Sequence, residues 1–539
     1  MTDHAHPINH TPRRRDLLVG GAAALAAFGL APASAHASPS AGAFRTTPAG
    51  RMPNSRLHRW AADTWHSLDA MTDPSTGLPA DNIPESLAAG DRSGYTSPTN
   101  IGGYLWSGIV ARELGIITAA ECSSRLLRTL HTLQGMEKHE PSGMYSNWYD
   151  PSTGEALRTW PEDGKPVEPF VSSVDSGWLG AALLVVKNAG GPAAAPAAAE
   201  LFDRMRWDAF YDAGEIHGHD NVRPGGLMHG GFYPFADGRP GETFVGSHIG
   251  GDNVWLTTHH YDTIVSETRI TSYLGILTGQ VPGKHYFAPW RTFPATCDWS
   301  WHEMQPVGEN RTYMGIDVYE GAYTYRGMHV VPGWGGSMFE ELMPAVFVPE
   351  ERWAPRSWGR NHPLHVRAER EHGLEEAGYG YWGFSPASNP DGGYREYGVD
   401  ALGMNPQGYF SDKEKTNYDP GFGGCRPATN PTPTFGDGVV TPHASFLAMM
   451  FERGQATANL LKIQQKLGAY GKGGFFDAVA VHSGTIARRY LSLDQAMVMG
   501  ALGNVLGKGV LRRAFSTPDV EAALRPVIGI EEFGAGIVE

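Results

Sequence analysis

Cysteine is nearly missing: Cys122, Cys297 and Cys425 are the whole supply. They are too few and too scattered for a zinc site or a disulfide framework, which need closely spaced sets. Long apolar runs are missing as well. Beyond residue 35 nothing approaches the roughly 18 uninterrupted apolar residues of a membrane-spanning helix, so no membrane span is expected. Positive charge is also short, with 43 Lys and Arg against 57 Asp and Glu and a net charge of −14. No basic patch stands out to collect phosphates, which argues against a nucleic-acid partner. Charged residues of either sign make up only 19% of the chain, so an acid isolated in an apolar stretch needs a reason. Familiar motifs fail too. No HExxH occurs, and His217-Gly218-His219-Asp220 is a weak metal pattern. Ile249-Gly250-Gly251-Asp252 lacks the lysine of a phosphate loop, and Ser483-Gly484-Thr485 makes no nucleophile elbow. No metal and no organic cofactor is expected.

Glycine and aromatics are plentiful: 69 Gly, 15 Trp, 21 Tyr and 22 Phe. Together they suit long, tightly bending loops that present flat rings, and flat rings both fill cores and stack on sugars. The start of the chain reads as an address. Arg13, Arg14 and Arg15 precede an apolar run from Leu17 to Ala31, and Ala33-Ser34-Ala35 offers a small-residue cleavage site. The adjacent arginines point to the twin-arginine export route, with residues 1–35 as signal, 36–52 as a flexible leader and 53–539 as a single catalytic domain. The signal holds three arginines and two aspartates, net +1, which leaves −15 on the mature part. A secreted or extracytoplasmic monomer acting on a neutral substrate is the expectation.

About a dozen segments carry helical spacing, among them Arg56–Met71, Ile101–Leu114, Thr118–Leu133 and Pro442–Met450. Thr118 is placed to cap its helix. The long stretches 207–258 and 282–332 show no clear period and read as loop with short extended runs. With no βαβ rhythm, the expected class is all-α. A ring of helices in two concentric layers would explain why some are apolar all round and others one-sided.

Three of the apolar segments each enclose an acid. Phe170–Lys187 holds Asp175, His259–Leu277 holds Glu267, and Leu491–Gly507 holds Asp494. Read as helices, these are buried, and a buried carboxylate must find a distant partner, shift its pKa or do chemistry. Arg269 is two residues from Glu267 and points elsewhere on a helix. Each acid alone could cap a helix or bond a loop. Three together suggest one cleft, and a glycosidic bond is cut by two carboxyls, one protonating the leaving oxygen and one activating water or attacking the sugar. Glu267 best fits the proton donor.

Several blocks resemble a known family. Tyr95–Leu105 contains TSPTNIG, Asn147–Asp150 is NWYD, and Val171–Leu179 is VSSVDSGWL. Ser266–Arg269, SETR, is similar to SEAR, and Gly335–Pro344, GGSMFEELMP, to GGTMFEYLMP. Tyr381–Ser385 is YWGFS, Thr441–Ser445 is TPHAS, and Leu493-Asp494-Gln495 is similar to IDQG. These blocks resemble the bacterial glucoamylase-like family, related to endo-β-1,2-glucanases and to part of the cyclic β-1,2-glucan synthases. The resemblance implies an (α/α)6 barrel, or toroid, and a glycosidase without cofactor that acts on an oligo- or polysaccharide of the β-glucan class, with β-1,2-linked glucan the first candidate. It places Asp175, Glu267 and Asp494 as catalytic acids. Trp148, Tyr149, Trp178, Tyr261, Trp334, Tyr381 and Trp382 become candidates for sugar contact, and Glu340 for holding a sugar hydroxyl. The chain departs from the family at Ala496-Met497 after Asp494-Gln495, and has Ser172 and Asp175 where glucanases carry further acids. Two other readings stay open: a glycan-binding toroid without catalysis, and a polysaccharide lyase using Tyr and His.

Overall fold

Serine and threonine start the helices. In the computed structural model, which describes residues 54–214, 224–234, 244–293, 304–404 and 435–538, Ser97 accepts from the Asn100 amide (3.2 Å) and Thr118 from the Glu121 amide (3.1 Å). Ser172 accepts from the Asp175 amide (3.2 Å) and Ser337 from that of Glu340 (3.5 Å). Each satisfies an amide that the first turn leaves without a carbonyl. The export segment and leader (1–52), His217, His219, Asp220, Cys297 and Cys425 lie outside the described residues.

The helices are α1 (Asn54–Met71), α2 (Pro98–Glu113), α3 (Ala119–Gly135), α4 (Ser173–Ala189), α5 (Gly191–Asp203), α6 (Arg269–Leu277) and α7 (Met338–Leu342). Then follow α8 (Glu350–Trp353), α9 (Trp358–Glu371), α10 (Pro442–Ala448), α11 (Arg453–Lys462), α12 (Ser492–Leu506), α13 (Val510–Phe515) and α14 (Pro518–Ile528). Their contacts run in a circuit from α2 to α4, α6, α14, α8, α9, α7, α10, α12 and back to α2. Helices α2, α4 and α12 are buried over most of their length, as their all-round apolar sequences require. Others, such as α1 and α3, are two-faced and flank them. At two points a glycine backbone is pressed close against its neighbour helix. A Cβ on Gly177 of α4 would lie 2.2 Å from the Thr271 hydroxyl of α6, and one on Gly102 of α2 would lie 2.9 Å from the Trp178 carbonyl.

The all-α expectation, and with it the (α/α)6 barrel as a class, is corrected: helix accounts for 45% of the described residues and strand for 19%, a mixed α/β fold. Strands gather into eight small antiparallel sheets among the described residues. One runs Val171–Ser172, Gly231–Tyr233, Asp252–Thr257, Phe244–Ile249, and another Val307–Tyr313, Ile316–Tyr325, Met328–Val330, Gly536–Ile537. The stretches without helical period are where most of this strand lies. Val307–Tyr313 turns into Ile316–Tyr325 through Met314-Gly315, both at positive φ, the two-residue turn that matches strand twist.

A second correction concerns the segment expected as one helix over His259–Leu277. Only Arg269–Leu277 is helical. His260 and Tyr261 pair as a strand with His229 and Met228. The Ile264 amide donates to the Trp290 carbonyl (2.9 Å), and the Val265 carbonyl accepts from Trp334 (3.0 Å). Those backbone groups are taken by distant partners and are not available to a helix. The segment is apolar on every side because it is buried on every side, and periodicity alone does not separate a buried strand from a buried helix.

Candidate active site at the helix N-termini

The first turns of the buried helices carry polar side chains at matching positions. Asn100, Asp175, Glu340 and Asp494 are each the third residue of their helix, in α2, α4, α7 and α12. His443 is the second residue of α10, and Glu267 sits two residues before α6. An acid is favoured there on its own account, since a helix N-terminus carries partial positive charge.

Contacts link these turns from helix to helix. The Thr99 hydroxyl of α2 donates to the Asp175 carboxylate of α4. From α4, Trp178 Nε1 donates to Glu267 Oε2 (2.5 Å), and the Ser173 carbonyl accepts from Thr271 Oγ1 of α6 (2.8 Å). The Glu267 amide and Ser266 Oγ both donate to Glu340 Oε2, at 2.7 and 2.9 Å. On the other side, His443 Nδ1 of α10 lies 3.5 Å from Asp494 Oδ2 of α12. The Ser492 amide at the head of α12 donates to the Asp81 carbonyl, whose carboxylate accepts from Asn100 Nδ2 of α2 (2.8 Å). Asp175, Glu267, Glu340 and Asp494 are thus joined through one rim, all buried.

Below the rim, Arg269 locks the turn that carries Glu267. It is fully buried and directed away from Glu267, with Nε and Nη2 on both oxygens of Glu350 (2.7 and 2.9 Å). Its remaining donors reach the carbonyls of Ser266 (2.9 Å), Glu340 (2.8 Å) and Glu341 (2.5 Å), and its plane lies 4.3 Å from the Trp358 ring. Burial pushes the Glu350 carboxyl upward, but Arg269 and His362 outweigh it and hold the pKa at about 2. One arginine therefore ties the backbone before α6 to that of α7.

The aromatic candidates divide. Tyr149, Trp178 and Trp382 are core residues, 0, 0 and 2% exposed. Tyr149 donates to the Glu137 carbonyl (2.6 Å), and Trp178 packs edge-on to Trp106 while orienting Glu267. No sugar face is open on these rings, which corrects the expectation of stacking. Trp148, Tyr261, Trp334 and Tyr381 are half-buried. Trp148 meets Tyr95 and Trp160 edge-on, and Tyr381 lies under the Lys462 ammonium (4.4 Å).

Sequence reasoning missed Asp477. It lies in an apolar run, Phe475-Phe476-Asp477-Ala478-Val479, and so carries the same signal as the other rim acids, a lone charge among apolar residues, in a segment that borders strands and not in a helix. It is fully buried, hydrogen-bonds Asp494, and its Oδ2 accepts from the Ser388 amide (2.6 Å). Burial raises its pKa against those bonds. Two groups among the described residues bring metal-type ligand atoms within 4.8 Å of one another: His443, Asp477 and Asp494 at the rim, and Asp212, His229 and His260 beside it.

Residues 259–518 match the family described as "Putative glucoamylase", and residues 59–228 match one described as "Protein of unknown function (DUF3131)". The cyclic beta-(1,2)-glucan synthase NdvB of Rhizobium meliloti is 27% identical over 279 residues, 49% of this chain. The chain spans 8% of the length of that relative. Among solved structures, a glucoamylase-like protein of Bacteroides uniformis superposes with TM-score 0.59 at 17% identity, covering 89% of this chain and 98% of that one. The endo-beta-1,2-glucanase of Chitinophaga pinensis gives 0.59 at 15%, covering 89% and 99%. That of Talaromyces funiculosus, in complex with sophorose, gives 0.60 at 13%, covering 88% and 87%. By family match over residues 259–518 and by fold over most of its length, the chain resembles the bacterial glucoamylase-like family, as its sequence blocks imply.

Proposed function

We propose that the protein is a glycoside hydrolase acting on a β-glucan, with β-1,2-glucan the first substrate to test. The observation that supports this best is the rim: four buried carboxyls at helix N-termini, one of them, Glu267, oriented by Trp178. Neighbours of the same fold that are named as β-1,2-glucanases supply the linkage. Glycosidic cleavage needs one carboxyl to protonate the leaving oxygen and a second to activate water or attack the sugar. In this reading Glu267 is the general acid. The second carboxyl is Asp494, with Asp477 behind it, or Asp175, the two that flank α2 in the rim. Glu340, fixed by the Glu267 amide and Ser266, positions the acid's backbone. Trp148, Tyr261, Trp334 and Tyr381 keep exposed ring surface for sugar contact.

The experiment is a release assay for reducing ends over linear and cyclic β-1,2-, β-1,3-, β-1,4- and β-1,6-glucans. Activity confined to α-glucans, or an unsaturated product absorbing in the ultraviolet, overturns the reading. Export by the twin-arginine route to an extracytoplasmic site, and action there as a monomer, belong to the same proposal. Lysine at both Arg14 and Arg15 should stop export, and undiminished secretion of that variant would count against the route. Sedimentation of the purified chain tests the monomer.

A further inference from the structure

Three neighbouring strands bring Asp212, His229 and His260 together. Tyr211–Asp212, Leu227–His229 and His260–Tyr261 form one antiparallel sheet in which Leu227–His229 is central, and His229 and His260 are direct cross-strand partners. The three side chains are 0, 2 and 3% exposed. The two imidazole rings lie 4.4 Å apart, tilted by 32°. Both face one carboxylate oxygen: Asp212 Oδ2 is 2.9 Å from His260 Nε2 and 3.8 Å from His229 Nε2.

The protons decide what this arrangement is for. His229 Nδ1 lies 2.7 Å from the Thr257 carbonyl, which can only accept, so Nδ1 carries the hydrogen. In the neutral ring Nε2 then presents a lone pair. Asp212 is held as well, since its Oδ1 accepts from the Gly214 amide (2.9 Å) and Oδ2 is turned to the histidines. One ligand atom from each of Asp212, His229 and His260 lies within 4.8 Å of the other two, close enough for the three to hold a single ion. The Nδ1–H bond to a backbone carbonyl is also the outer contact that orients a metal-bound histidine and fixes its tautomer.

We infer that Asp212, His229 and His260 form a binding site for a divalent transition-metal ion of the zinc type. Two imidazole nitrogens and one carboxylate oxygen suit a borderline-soft ion. Calcium and magnesium are disfavoured, because they take oxygen ligands almost throughout. The ion's place is structural. The carbonyls of His229 and Gly230 accept from Ser173 Oγ (2.8 Å) and from the Ser173 amide (3.1 Å), at the head of the helix that carries Asp175. His260 begins the strand that leads to Glu267. A metal here clamps the three strands that deliver both acids, without touching the reacting bond.

The test does not depend on glycosidase activity. The full chain, stripped with a chelator and dialysed, is titrated with Zn²⁺ and with Co²⁺ as a spectroscopic stand-in. One equivalent should bind, Co²⁺ should develop visible d–d absorption, and the melting temperature should rise on reloading. Asp212→Asn and His260→Gln, checked for fold by circular dichroism, should bind Zn²⁺ at least tenfold more weakly. Wild-type protein that takes up no stoichiometric Zn²⁺ or Co²⁺ overturns the proposal. So does unchanged affinity in both variants, which would place the metal on other ligands. Should a variant fail to fold, the wild-type Co²⁺ spectrum still decides, since carboxylate–imidazole ligation gives bands that an adventitious surface ion in water does not.

Discussion

Replacing Glu350 by Gln tests whether the buried Arg269 pair holds the acid-bearing turn in place. The substitution keeps shape and hydrogen bonding but removes the negative charge that faces a fully buried guanidinium. Two estimates of the loss agree. Depressing the carboxyl from 4.5 to about 2, at about 1.4 kcal/mol per unit, corresponds to roughly 3 kcal/mol. Breaking a buried ion pair from one side generally costs about 3–5 kcal/mol. An unfolding entropy of about 2 cal/mol/K per residue amounts to about 1 kcal/mol/K for a chain of this length, so the melting temperature should drop by about 3 °C. The pH dependence follows from the sign of the shift. A folded pKa below the unfolded one stabilises fully above pH 4.5, and that contribution is lost as pH falls from 4.5 towards about 2. Calorimetry of both proteins at pH 6, 4 and 3 should therefore show a gap that narrows steadily with acid. An unaltered melting temperature at pH 6, or a gap as wide at pH 3 as at pH 6, would refute the reasoning. Because Arg269 also holds the carbonyls of Ser266 and Glu340, turnover at pH 6 should fall along with stability.

Glu267→Gln should lose on the order of 10²- to 10⁴-fold in kcat on β-1,2-glucan while the protein still folds and binds, the usual worth of a general acid; near wild-type turnover would move the acid to Glu340. Asp494→Asn and Asp175→Asn separate base from scaffold: the reacting carboxyl loses kcat with an unchanged melting temperature, and the structural one lowers the melting temperature. Trp178→Phe keeps the ring in the core but removes the donor to Glu267 Oε2, and should cut kcat about tenfold or more, as expected for one charge-assisted hydrogen bond; equal kcat would show that Glu267 needs no such donor. Gly177→Ala should destabilise by about 1–3 kcal/mol in chemical denaturation, since its methyl would sit 2.2 Å from Thr271 Oγ1.

Much of the rim was legible as residues but not as geometry. Asp175 and Asp494 sit in the helices their sequences announced, and Thr118 caps its helix as placed. Glu267 was singled out for the right property, isolation in an apolar segment, but on the wrong secondary structure. The pull of Trp290 and Trp334 on the backbone before α6 comes from far along the chain and leaves no local mark. The strands escaped for a related reason: most have two to seven residues and find partners across long loops, so no short window carries their signal. Aromatic rings in family-like blocks were read as sugar platforms, yet Tyr149, Trp178 and Trp382 serve the core. Residue type cannot separate these roles, because a ring that fills a core and a ring that stacks on a sugar have the same chemistry.

Chemistry and packing fall on different residues of the same helices. In α4 the polar work is done by Ser172, Ser173 and Asp175, while Gly177, Trp178 and the residues after them fix the helix against α2 and α6. In α12 Asp494 stands above a buried run from Ala496 to Gly503, which packs against the neighbouring helices. A substitution in a first turn can therefore change what the rim does without disturbing how the helices lie. In the next turn packing dominates, with Trp178, which also donates to Glu267 Oε2, serving both ends. Such a scaffold can be retooled from its upper turns and from the loops that feed them, and drift in sequence elsewhere is tolerated as long as the close approaches at the glycines persist. Libraries aimed at a new glycan linkage belong at Thr99, Asn100 and His443, with the rim carboxyls, Gly102 and Gly177 left untouched.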